Sequence, residues 1–129
     1  CAVGLKNIEI LERDNLVQHA VEMGEVLRQG FEYLEGKYSF FTKGRNVGLL
    51  GGFDLMRSPE ENIPFEESVK AAVTLVDECF QRNLLIRPFD FEPGMNIVAV
   101  APPLIIEKDE VEKIIAIIDD SLKALSNKI

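Results

Sequence analysis

A chain of 129 residues is long enough for one compact domain that buries roughly two thirds of the surface its unfolded form would expose. With 47% apolar and 28% charged residues the composition is globular, and neither a disordered nor a fibrous class fits. A net charge of -8 with no local Lys/Arg cluster argues against nucleic acid and anionic membranes as partners, and no apolar run nears the roughly 18 residues of a spanning helix.

The chain opens on Cys1, and Ala2, Val3 and Leu5 enter an apolar pattern at once. A lipidated cysteine would want a polar tether there, and a thiol nucleophile would want a nearby base, so a boundary inside a longer protein is the expectation. With only Cys1 and Cys79 there is no disulfide framework, which points to a reducing, cytoplasmic compartment. A short helix is expected over residues 2 to 12. From Asn15 to about Gly36 the apolar residues Leu16, Ala20, Met23, Leu27, Phe31 and Leu34 recur in steps of three and four, one stripe of an amphipathic helix.

Between Arg45 and Met56 the period changes to two, with Val47, Leu49, Phe53 and Leu55 alternating among glycines, which predicts one strand with close backbone packing. Pro64, followed by Glu66 and Glu67, predicts a helix start, with Val69, Ala72, Val73, Val76 and Phe80 as its buried stripe and Asn83 as a left-handed stop. Two short strands, 84–86 and 97–100, are joined by a loop rich in proline and glycine, and Pro102-Pro103 ends the second. A last helix is capped by Asp109 and buries Val111, Ile114, Ile115, Ile118, Leu122 and Leu125. The order α-α-β-α-β-β-α predicts an α+β fold, a small, mainly antiparallel sheet with helices packed on it, as a single domain over residues 1–129.

Few residues point to chemistry. The glycines at 44, 48, 51 and 52 precede a strand-like stretch, where a phosphate loop would need a helix N-terminus. His19 is the only histidine, so it supports no multi-histidine metal site, and Cys79 reads as a packed small hydrophobe. The carboxylate pairs read as solvated charge. Arg87 stands at a strand end before Pro88 and a loop containing Phe89 and Phe91. A guanidinium there is a flat fork suited to a carboxylate, but spacing alone favours an ordinary surface arginine.

The string from Ala99 through Pro102-Pro103-Leu104 to Ile106, followed by an acidic helix, resembles the "aPPLvit" signature that closes class III aminotransferases. Residues Gly44 to Leu55 resemble the same family's "vRGxGLmxgiel" strand, and Cys1 to Leu11 resembles its "acAvalanleil" helix, in the same order and at matching intervals. The resemblance implies the C-terminal small domain of a pyridoxal-phosphate-dependent aminotransferase. Such a domain packs on a large cofactor domain of the same protein within a homodimer, and the enzyme moves an amino group from a donor to a keto acid. It also implies that the Schiff-base lysine, the aspartate facing the pyridine nitrogen and the "GHP" turn belong to the large domain, so this chain holds no cofactor and is inactive alone. Thr42-Lys43-Gly44 imitates the Schiff-base tripeptide but stands in the wrong place for it.

By the same resemblance Arg87 aligns with an arginine that holds the substrate carboxylate in ω-amino acid and diaminopelargonate-type members. Ala99 stands where ornithine, acetylornithine and 4-aminobutyrate members carry arginine, which turns the expectation away from those donors. Asn46 replaces a family glycine, and the loop from Phe89 to Asn96 is longer than usual, so both bear on the shape of the pocket. The rival reading is a free-standing α+β ligand-binding or regulatory domain without catalysis.

Overall fold

The computed structural model describes every residue except Asp90 and Pro93. Helices α1 (Ala2–Arg13) and α2 (Leu16–Lys37) meet at Asn15, whose left-handed backbone (φ 49°) turns the chain between them. Next come strands β1 (Phe41–Val47), β2 (Leu50–Ser58) and the two-residue β3 (Ile63–Pro64). A 3-10 turn at Glu67–Val69 leads into α3 (Ala71–Gln81), and β4 (Arg87–Phe89), β5 (Ile97–Val100) and α4 (Lys108–Ser126) complete the chain. The sheet is antiparallel in the order β1-β2-β5-β4, with β3 attached to β2. The α+β class is therefore as expected, and no helix among the described residues is long and apolar enough to cross a membrane.

Several expectations need correcting. The single strand predicted over 45–56 is a hairpin, because Gly48 takes a left-handed conformation (φ 55°) and turns the chain at Gly48-Leu49. Pro64 does not start a helix. It pairs with Met56 in β3, and Phe65 is buried with its ring 6.4 Å from that of Phe40, which keeps this segment out of a helix until the 3-10 turn and the left-handed Lys70 lead into α3. The buried face of α3 is Ala71, Ala72, Leu75, Glu78 and Cys79, one step round from the predicted stripe, leaving Phe80 66% exposed. Residues 84–86 form no strand, so Arg87 opens β4 where a strand end was expected. The last helix begins at Lys108, where Glu110 Oε2 accepts the N–H of Glu107 at 3.0 Å.

One face of the sheet packs on the helices. Phe53, Leu55, Val98 and Val100 alternate inward, and Phe31 of α2 meets Phe53 edge-on at 5.7 Å while Phe41 stacks on Phe53 at 4.4 Å. Asn46 also points this way, donating to the carbonyls of Gly24 (2.8 Å) and Gly48 (2.7 Å), and so ties α2 to the hairpin turn. The family glycine is thus replaced on the helix side, away from the open face. Asn96 is similarly structural. It is buried, and its Oδ1 accepts the N–H of Ala72 at 3.2 Å, capping α3 from a distant part of the chain.

Two charged clusters lock α4. Glu78 accepts from Lys128 (2.7 Å) and Arg82 (2.6 Å), and these bonds hold its carboxyl below the usual range. Burial pushes the Asp119 carboxyl up, but bonds from Lys37 (2.6 Å) and the Tyr38 hydroxyl (2.7 Å) outweigh it and leave the group below its ordinary value. Burial, reinforced by Asp119, in turn pushes Tyr38 up to about 12.

Gly24 lies so close to the turn that an added Cβ would stand 2.5 Å from the Gly48 carbonyl oxygen, whereas a Cβ at Gly36 would meet nothing within 4 Å. Gly36→Ala is expected to stabilise by about 0.5 to 1 kcal/mol through helix propensity, and Gly24→Ala to destabilise by about 1 to 3 kcal/mol despite the same propensity gain. Urea midpoints check the pair, and equal signs would contradict the close approach. Because the folded carboxyls of Glu78 and Asp119 are depressed, the unfolded state binds more protons just below the ordinary carboxylate range. The stability they add is complete above about pH 5 and declines as pH falls towards the folded values. Urea titrations from pH 6 to pH 3 should show a flatter acid slope in the Glu78→Gln/Asp119→Asn double variant than in the unaltered chain.

Candidate functional site on the open face of the sheet

The sheet face turned away from the helices carries the other half of each alternation. Arg87 pairs with Ala99, Ala99 with Gly52, and Gly52 with Arg45, so these four residues form one row across all four strands. The row is about 14 Å long at the usual strand spacing. Beside it runs a second row, Phe89, Ile97, Asp54 and Thr42. Arg45, Gly52, Ala99, Phe89 and Ile97 of these rows line, with the hairpin end, a shallow, largely apolar depression of about 330 Å³; Arg87, Asp54 and Thr42 lie outside its lining.

The charges on this face are unevenly shared. Asp54 is mostly buried and accepts from Arg45 Nη1 at 2.9 Å, with Lys43 Nζ at 3.6 Å. Arg13, Arg28, Arg45, Arg57 and Arg82 each have a carboxylate within 4 Å. Arg87 has no carboxylate partner among the described residues, although the chain holds 22 acidic residues. Its guanidinium instead lies over the Phe89 ring, 5.5 Å from the centroid. Arg87 is exposed, so the apolar enclosure expected from its neighbours reduces, within this chain, to one aromatic face.

The remaining residues singled out from the sequence lie elsewhere. Lys43 sits in the bulge of β1 with φ 54°, its backbone N–H bonded to Glu35 at 3.0 Å and its side chain in solvent. Cys79 is fully buried under α4, and burial pushes its thiol up, which disqualifies it as a nucleophile. His19 Nε2 lies 2.8 Å from the carbonyl of Ile106, which only accepts, so this nitrogen carries the proton and pins the segment after β5 to α2. Among the described residues no group of His, Cys, Asp and Glu is arranged for a metal. A pyridoxal-phosphate site needs a lysine held in an enclosed cavity. All eight lysines here are exposed, so the residues present do not fit that cofactor.

Reading the sequence singled out Arg87 and named Phe89 in the loop beside it, but gave Arg45 and Asp54 no part. Phe89 lies two residues from Arg87, the spacing that puts both on one face of a strand, but this signal is usable only once the strand is known to begin at Arg87.

Comparison with known proteins places the fold and the motifs together. The "Aminotransferase class-III" sequence profile matches residues 1–122. The chain is 30% identical over 129 residues to the taurine–pyruvate aminotransferase of Bilophila wadsworthia strain 3_1_6, covering 98% of this chain and 28% of that protein. It is also 30% identical over 129 residues to probable gamma-aminobutyrate transaminase 3, mitochondrial, of Oryza sativa subsp. indica, covering 100% of this chain and 24% of that protein. A crystal structure of a transaminase from the marine bacterium Virgibacillus superposes with a TM-score of 0.93 at 30% identity, over 98% of this chain and 28% of that one. This chain thus spans about a quarter of its relatives' length, and it belongs to the class III aminotransferase family.

Proposed function

We propose that this chain is the C-terminal small domain of a pyridoxal-phosphate-dependent aminotransferase, and that Arg87 binds the acid group of the substrate. One observation carries the second part. Arg87 is the arginine without a carboxylate partner among the described residues, on the open face of a sheet in a chain of net charge -8. A cation with no carboxylate partner among the described residues, amid so much negative charge, is suited to an acid from outside, and its planar fork suits two parallel bonds to one.

The rest of the enzyme follows as part of the same proposal. The cofactor and its lysine belong to a separate large domain, since no lysine here is enclosed. Exposed apolar residues such as Val3 (83%), Val17 (73%) and Val47 (86%) are suited to being covered by that domain or by the second subunit of a homodimer. The two free cysteines suit a cytoplasmic protein. Taurine and gamma-aminobutyrate, the donors in the relatives' names, are both amines with a terminal acid group, and that shared chemistry is what we carry over to Arg87; the likeness to a gamma-aminobutyrate transaminase brings back the 4-aminobutyrate donor from which Ala99 had turned the expectation.

In the full-length enzyme Arg87→Ala should lower kcat/KM for 4-aminobutyrate or taurine about ten- to a hundredfold, following the roughly 1.5 to 3 kcal/mol of a charge-assisted bond. Butylamine and ethylamine, the same chains without the acid, should change much less. Arg87→Lys should rescue only in part, because a point charge cannot make both bonds of the fork. Equal losses for the acid-bearing donor and its acid-free analogue would make Arg87 structural. Residues 1–129 produced alone should form no site-specific adduct with one equivalent of pyridoxal phosphate, and borohydride trapping followed by mass spectrometry checks this; low labelling spread over the exposed lysines is expected, and stoichiometric labelling of Lys43 alone would contradict it.

A further inference from the structure

The arrangement around Arg87 gives Phe89 a task that the binding of an acid group does not by itself assign. A long arginine side chain on an exposed strand samples many rotamers, and fixing it costs entropy each time a substrate binds. A carboxylate neighbour would fix it but would also occupy the fork. The single carboxylate in the two rows of the open face, Asp54, is already held by Arg45 at 2.9 Å and by Lys43 at 3.6 Å. An aromatic face does something different: it attracts the cation through the flat side of the guanidinium and leaves the in-plane N–H groups free to donate.

Phe89 is built to stay where it is. Pro88 fixes the backbone between it and Arg87, keeping the two side chains on one face of β4. Ile97 lies directly across from it on β5, and Phe91 meets it edge-on, with ring centroids 5.5 Å apart at 72°. We propose that Phe89 is a positioning residue, whose braced ring holds the Arg87 guanidinium extended over the open face, charged and unquenched, for the acid group of the substrate. The proposal rests on the reading of Arg87 given above.

The test is a double-mutant cycle in the full-length enzyme, with kcat/KM measured for 4-aminobutyrate against butylamine at saturating pyruvate. Because the efficiency ratio of two donors is taken within one protein, a partly unfolded variant does not distort it. Phe89→Leu should lower the ratio about two- to fivefold, the range of an exposed cation–π contact, mainly through a higher KM for 4-aminobutyrate, and Phe89→Tyr should restore it. Phe89→Leu added to Arg87→Ala should leave the ratio where Arg87→Ala alone puts it. An unchanged ratio in Phe89→Leu, or an undiminished effect of it in the Arg87→Ala background, overturns the positioning role while the reading of Arg87 stands. No selective loss in Arg87→Ala itself overturns both.

Discussion

The stacking of Phe41 on Phe53, with Phe31 of α2 edge-on to Phe53 and tilted against Phe41, decides which way the sheet faces. Side chains alternate along a strand, so burying Phe53 and its partner Val98 against the helices sends Gly52, Asp54, Ile97 and Ala99 to the opposite side. A slip of one residue in β2 would reverse this and bring Asp54 into the core. The aromatic cluster therefore sets a register that the charged residues alone could not hold. The position of Arg87 follows at one remove, through its pairing with Ala99.

The same packing explains why the hairpin turn is so tightly specified. Gly24 and Gly48 bring α2 and the turn into backbone contact, and the Asn46 amide donates to both of their carbonyls across it. Arg45 leaves β1 immediately before Asn46 and on the opposite face, where it neutralises Asp54. One dipeptide thus serves both faces of the sheet. Asn46 secures the helix side, and Arg45 neutralises the carboxylate on the open side.

How much of this the sequence made legible depended on whether a signal was local. The long apolar stripe of α2 and the short apolar run Ile97–Val100, stopped by Pro102-Pro103, reported their elements correctly, because each depends on spacing within one segment. Pro64 misled because its local preference for a helix start yielded to a tertiary contact, the burial of Phe65 against Phe40, which only the folded chain displays. The stripe of α3 was ambiguous by one step, since Ala72, Leu75 and Cys79 share the helical spacing of Ala72, Val76 and Phe80. What resolves it is which side faces α4. Arg87 was found through resemblance more than through chemistry. The observation that now supports it, that five arginines have a carboxylate within 4 Å and Arg87 has none among the described residues, depends on where the side chains point once the chain has folded, even though each of those pairs is close in sequence.

The row Arg87, Ala99, Gly52 and Arg45 also shows where this face can vary without cost to the fold. Gly52 is constrained by the sheet itself, because a Cβ there would stand 2.9 Å from the carbonyl oxygen of Val98. Arg45 is committed to Asp54. Ala99 has neither obligation. It is partly exposed, lies directly opposite Arg87, and is the position where the resemblance implies arginine in ornithine and 4-aminobutyrate members. An arginine on β5 in place of one on β4 would move the charge across one strand spacing, about 5 Å, without altering the register or the core. A displacement of that size is comparable to the length of a few methylene groups. If Arg87 acts as we propose, exchange between these two facing positions would change where along a substrate its acid group is met, while the rest of the domain stays the same.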